Sequence, residues 1–184
     1  MSLDSTAMLK LPVSERDHIQ GPAHAPVILV EYGDYECPIC GAAYVTVKEI
    51  QQALGDRLGF VFRNFPLTQM HPHASDAAQA AEAAGAQGSF WEMHDMLFEN
   101  QDDLGREQIA RYAESLGLDA TRLMDELISG TYAKRVRDDF RSGVKSGVNG
   151  TPTFFINGHR HDGPFDFEDL VSAIDEAVDP AKQA

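Results

Sequence analysis

Residues 27–40 read Val27-Ile28-Leu29-Val30-Glu31-Tyr32-Gly33-Asp34-Tyr35-Glu36-Cys37-Pro38-Ile39-Cys40. The first six are a short apolar run rich in β-branched residues, which predicts a buried strand opening after Pro26. Gly33-Asp34-Tyr35-Glu36 turns the chain. From Pro38 the period changes: Ile39, Ala43, Val47 and Ile50 recur near helical spacing up to Leu54, and Gly55-Asp56 ends the helix. Gly59-Phe60-Val61-Phe62-Arg63-Asn64-Phe65 alternates as a second strand and stops at Pro66. Strand, helix, strand is a βαβ unit, which implies parallel pairing.

On either side the pattern differs. Residues 1–24 are polar and irregular, an N-terminal arm. The middle reads as helix throughout, beginning with Ala74–Ala86, which holds eight alanines and no strand signal. Phe90–Phe98 is a second helix, rich in Phe, Trp and Met. Arg106–Leu116, Thr121–Ile128 after an Asp119 cap, and Tyr132–Val144 after a Thr131 cap follow. The end returns to strands: Thr153-Phe154-Phe155-Ile156, a type I′ turn at Asn157-Gly158, and a returning strand. Asp166 then caps a last helix, Phe167–Val178, with Leu170, Val171, Ile174 and Val178 on one stripe. The order is βαβ, a helical block, then ββα, an α/β chain with an α-helical insertion.

The chain has 184 residues, 43% of them apolar and 24% charged, as in an ordinary globular protein. Its formal charge of −14 argues against nucleic-acid or anionic membrane partners. No apolar run approaches the roughly 18 residues of a spanning helix. Met1–Pro12 lacks the basic flank and apolar stretch of a secretory signal. The sequence as it stands reads as cytoplasmic; a signal peptide removed from it would make the protein periplasmic or secreted, so the compartment stays open.

Both cysteines sit in one motif, Cys37-Pro38-Ile39-Cys40. Proline is favoured at the first helical position, which puts Cys37 at the N-cap and both sulfurs on one side of a helix start. The orphan N–H groups and the positive end of the helix dipole stabilise a thiolate there. Cys37 is then an exposed attacking sulfur and Cys40 a recessed resolving one. A bare CxxC is a weak signal, but at a strand-to-helix junction in a βαβ unit it reads as a redox motif. The zinc reading needs two more ligands, for which His71 and His73 are the candidates. His-Pro-His presents its rings awkwardly for one metal, and a tetrahedral site would block Cys37.

Glu31 lies on the first strand, six residues before Cys37. Strands covered on both faces bury their side chains, so Glu31 reads either as a buried carboxyl with a raised pKa that exchanges a proton with Cys40, or as a solvated edge carboxylate. Thr151-Pro152 enters the third strand, where a trans X–Pro bond is the common case.

Four segments together carry a family resemblance: Val30 to Cys40, Phe65-Pro66-Leu67 with His71-Pro72-His73, Phe90-Trp91-Glu92-Met93-His94-Asp95, and Gly150-Thr151-Pro152-Thr153-Phe154-Phe155-Ile156-Asn157-Gly158. In this order, over about residues 18–178, the chain resembles the DsbA-like thiol–disulfide oxidoreductases. The resemblance implies a thioredoxin-like fold with a helical domain inserted between the βαβ and ββα halves. The expected division is 25–70 with 148–180, and 71–147 inserted. It implies Cys37 as nucleophile, Cys40 as resolving thiol and Glu31 as the family's buried glutamate. It makes Thr151-Pro152 similar to the cis-proline loop, where the Thr151 backbone would pair with an extended substrate. Pro38, Ile39, Thr151 and Pro152 are the candidate substrate-contacting residues. The strongly oxidising members carry a histidine inside the motif; Pro38-Ile39 supplies none, so Cys37 is expected to be less acidified.

The expected activity is thus disulfide exchange with protein or peptide thiols, with no bound cofactor or metal, and with a redox partner that recycles the motif. Its direction stays open. Two alternatives are a metal-binding or holdase-type protein without turnover, and a glutathione-dependent small-molecule transferase or isomerase of the same fold. Phe90, Trp91, Met93 and Phe98 read as core of the insertion, some of them possible groove lining. Arg135, Arg137, Arg141 and Lys145, interleaved by Asp138 and Asp139, read as a solvated face. His159-Arg160-His161 reads as a solvated tip.

Overall fold

The computed structural model describes residues 7–178; residues 1–6 of the expected arm and 179–180 of the expected second segment lie outside it. Its strands are β1 (Ile19–Gln20), β2 (Val27–Gly33), β3 (Leu58–Asn64), β4 (Thr153–Ile156) and β5 (His159–His161). Its α-helices are α1 (Pro38–Leu54), α2 (Ala74–Ala86), α3 (Phe90–Glu99), α4 (Arg106–Ser115), α5 (Ala120–Ser129), α6 (Ala133–Lys145) and α7 (Phe167–Val178). A 3-10 turn at Gly55–Arg57 follows α1. The chain is mixed α/β, with the helical block between the first three strands and the last two.

The described residues form two compact units. One comprises the residues up to Tyr32, Ala42–Arg63, and those from Ser142 onward. It holds a five-stranded sheet in the order β1-β3-β2-β4-β5. β2 and β3, joined through α1, are neighbours, as the βαβ pattern requires. β2 pairs antiparallel with β4, placing Glu31 opposite Phe154, and β4 pairs antiparallel with β5. Every residue of β3 is buried, so the alternation read from the sequence does not mark an exposed face, because the strand is covered on both sides. Arg63 and Asn64 are its polar residues, and the Arg63 Nε and Nη2 reach the Asp17 carboxylate at 2.8 and 2.9 Å. Its Nη1 donates to the Leu11 carbonyl and the Tyr32 hydroxyl. This bidentate pair ties the N-terminal segment to the sheet.

That segment is not wholly irregular. Ile19 and Gln20 form β1, antiparallel to β3 in register with Val61 and Phe60. At the other end of the sheet, Asn157 (φ 48°) and Gly158 (φ 84°) make the left-handed turn into β5, so His159-Arg160-His161 is an edge strand.

The second unit comprises Gly33–Gly41 and Asn64–Arg141. α2 packs against α3, α4 and α5, and its alanines let the neighbours approach closely. Phe90, Met93, Leu97 and Phe98 of α3 are buried, while Trp91 is half-buried. Asp119 caps α5 by accepting the Arg122 N–H at 3.0 Å. The expected Thr131 cap is absent: α6 starts at Ala133, and the Thr131 hydroxyl meets Ser129 Oγ at 2.9 Å. Asp139 departs from the solvated face expected of it. It is 3% exposed and accepts the Asn64 backbone N–H and side-chain amide at 3.0 and 3.1 Å.

Candidate active site

α1 begins where the sequence places it. The Cys37 carbonyl accepts the first helical bond from the Gly41 N–H at 3.1 Å, the signature of an N-cap residue. Pro38 occupies the first helical position, where no donor is lost. Cys40, Ala43, Val47, Ile50 and Leu54 form the buried stripe of the helix. Both cysteines are free thiols.

Cys37 is less open than an attacking sulfur was expected to be, at 5% exposure against 0% for Cys40. The order of access holds, but the margin is small. Gln101, from the segment between α3 and α4, clasps the backbone on either side of Glu36. Its Nε2 donates to the Cys37 and Tyr35 carbonyls at 2.8 and 2.9 Å. Its carboxamide lies where a Cβ on Gly41 would be, so a side chain at residue 41 would make the Gln101 amide shift. Ile39 stands out of the motif at 55% exposure, and Met70, on the loop after β3, reaches 72%. An apolar residue inside the motif therefore faces solvent.

The turn before the motif is held by Asp34, whose side chain is fully buried. Its carbonyl accepts the Cys37 N–H at 3.2 Å. Its carboxylate accepts the N–H groups of Glu36 and Leu67 at 2.8 and 2.9 Å, and the Nδ1 of His71 at 2.8 Å. Partial burial works against a charged His71 ring, but the hydrogen bond and charge of Asp34, with the charges of Cys37 and Glu36, outweigh it and raise the His71 pKa. His73 is held by Glu36, whose two oxygens take its backbone N–H and Nδ1 at 2.7 and 2.8 Å. Both histidines of the zinc alternative are thus engaged by carboxylates. Among the described residues, no group of three or more His, Cys, Asp or Glu is placed to hold a metal ion. The Tyr35 ring meets Phe98 at a tilted angle and its hydroxyl meets His94 Nδ1 at 3.0 Å, both inside the helical unit.

The remaining candidates lie in the sheet unit. Glu31 is 2% exposed on β2, so the solvated-edge reading of it is excluded. The Thr151–Pro152 bond is cis, and both residues are half-buried at the entry to β4. The Thr153 hydroxyl donates to the Gly150 carbonyl at 2.8 Å, fixing the loop from its far side. Asp34 and Gln101 are not candidate site residues of the sequence, and His71 figures there only as a ligand of the zinc alternative. The only available signal was the position of Asp34 in the turn and of His71 in the His-Pro-His segment.

A family model described as thioredoxin matches residues 13–176. The chain belongs to the thioredoxin family. Its solved relatives place it among the DsbA-like members of that superfamily. Oxidised BdbD from Bacillus subtilis superposes with a TM-score of 0.83 at 26% identity, over 94% of this chain and 98% of that one. A thioredoxin-like oxidoreductase from Silicibacter pomeroyi gives 0.79 at 26% identity, covering 93% and 95%. The DsbA-like protein is also 46% identical over 95% of its length to a protein named Na(+)/H(+) antiporter NhaA 3 from Salinispora tropica. It covers 27% of that relative, so the chain spans about a quarter of the length of such curated relatives.

Proposed function

We propose that this DsbA-like protein exchanges disulfides with protein or peptide thiols through Cys37 and Cys40. The observation that carries the reading is the placement of Cys37 as the N-cap of α1, at the positive end of the helix, with its backbone held on both sides. In the oxidising direction, a substrate thiolate attacks Cys37 Sγ of the Cys37–Cys40 disulfide. The Cys37–Cys40 bond breaks, Cys40 leaves as a thiolate and takes up a proton, and a mixed disulfide joins Cys37 to the substrate. A second substrate thiolate then attacks the substrate sulfur and expels Cys37 as a thiolate. The substrate loses two electrons and the motif gains them. Reduction runs the same steps backward, with Cys40 resolving the mixed disulfide.

Within this reading Glu31 is the buried acid that exchanges the Cys40 proton. Pro38, Ile39, Thr151 and Pro152 contact an extended substrate segment, the backbone of Thr151 pairing with it by strand addition. A separate redox partner recycles the motif. Among the described residues no helix is long and apolar enough to cross a membrane.

The test is a pair of variants in a disulfide-exchange assay. Cys37→Ser is expected to abolish turnover, and Cys40→Ser to accumulate mixed disulfides visible by non-reducing electrophoresis. Full activity of Cys37→Ser would overturn the reading.

A further inference from the structure

We propose that His71, as its imidazolium, is a positioning residue that stabilises the Cys37 thiolate from outside the motif. The inference rests on the redox reading of Cys37 and concerns how that site is tuned. Its geometric basis is Asp34. One residue takes the Cys37 N–H on its carbonyl and the His71 Nδ1 on its carboxylate, so the ring and the nucleophile are fixed to the same turn. With Nδ1 donating to a carboxylate, the ring is held in one orientation, and its second proton sits on Nε2.

The charges around the ring are Asp34, Glu36 and Cys37, with His73 two residues on and engaged by Glu36. All three charges are anionic when Cys37 is a thiolate, and Asp34 is the one bonded to the ring. The buried Asp34 carboxylate by itself would oppose a second negative charge three residues further on. Its two backbone donors and the His71 cation compensate it. Removing the cation therefore acts twice, deleting an attraction and exposing a repulsion. The raised His71 pKa fits this arrangement, because the proton on His71 and the negative charge on Cys37 favour each other. In the exchange cycle the effect falls on the step that expels Cys37 as a thiolate, and it makes the motif more oxidising.

The coupling is reciprocal, which gives two independent readouts. In the reduced protein, the Cys37 pKa is measured from the pH dependence of thiolate absorbance and of alkylation rate. His71→Gln is expected to raise it by about one unit, a tenfold loss of thiolate below the pKa. His71→Lys is expected to restore most of it, and His73→Gln to leave it in place. The tenfold change makes the couple more reducing by about 30 mV. Without any substitution at His71, the ring titration followed by NMR is expected to shift to lower pH when Cys37 is locked in the disulfide. A thiol pKa unmoved in His71→Gln, or a His71 titration identical in the two redox states, would overturn the proposal while disulfide exchange itself persisted. Loss of exchange in wild type would instead remove the redox reading.

Discussion

His71 Nδ1 lies 2.8 Å from the Asp34 carboxylate, and the carbonyl of the same aspartate accepts the Cys37 N–H. A residue on the loop after β3 is thereby bound to the turn that leads into Cys37. This relationship has a consequence for stability as well as for reactivity. The folded protein holds the His71 proton more tightly than the unfolded chain, whose imidazole titrates near 6.5. The stabilisation is therefore fully present below that pH and is lost as pH rises through the raised folded value. The urea midpoint of wild type is expected to exceed that of His71→Gln most at pH 6 and to converge toward it with rising pH. A gap that widened with pH would contradict the assigned protonation.

Arg63 and Asp17 form a buried bidentate pair that joins the N-terminal segment to β3. Asp17→Ala leaves a guanidinium without its counter-ion in the sheet unit and is expected to cost about 3–5 kcal/mol in urea unfolding. Replacing both partners with apolar residues of similar volume, Arg63→Met with Asp17→Leu, is expected to cost less than the single change. The reverse ranking would show that the pair is stabilising beyond its desolvation.

Gln101 and Gly41 share one space beside the motif. Gly41→Ala displaces the Gln101 carboxamide from the Cys37 and Tyr35 carbonyls, with an expected loss of about 1–2 kcal/mol. Gln101→Ala loses the same bonds. The two changes are expected to be non-additive, the double variant falling short of the sum by about 1 kcal/mol. Strict additivity in urea unfolding would show that the clasp does not depend on the missing Cβ.

Much of the scaffold was legible because it follows local rules. α7 runs from Phe167 after an Asp166 cap that accepts the Asp169 N–H at 3.1 Å, and α1 starts at Pro38. The turn at Asn157-Gly158 has both positive φ angles that its dipeptide demands. β1 was not legible: two residues within a polar segment carry no period, and only pairing with β3 makes them a strand. The same holds for Asp34, His71, Gln101 and Asp139. Each is a polar residue whose partner lies far along the chain or in another loop, and neither periodicity nor spacing encodes such a pairing. The motif was legible in the sequence, whereas the groups that hold its turn emerged only when the loops were brought together.

The central claim is that Cys37 and Cys40 are one redox couple. It is tested by equilibrating the protein in glutathione buffers, quenching with acid, alkylating the thiols and counting them by mass. The expected result is that both thiols appear and vanish together over a single two-electron transition. Its midpoint is expected between the roughly −270 mV of thioredoxin and the roughly −120 mV of DsbA. Two thiols that stay free at every buffer ratio, with zinc accompanying the purified protein, would contradict it.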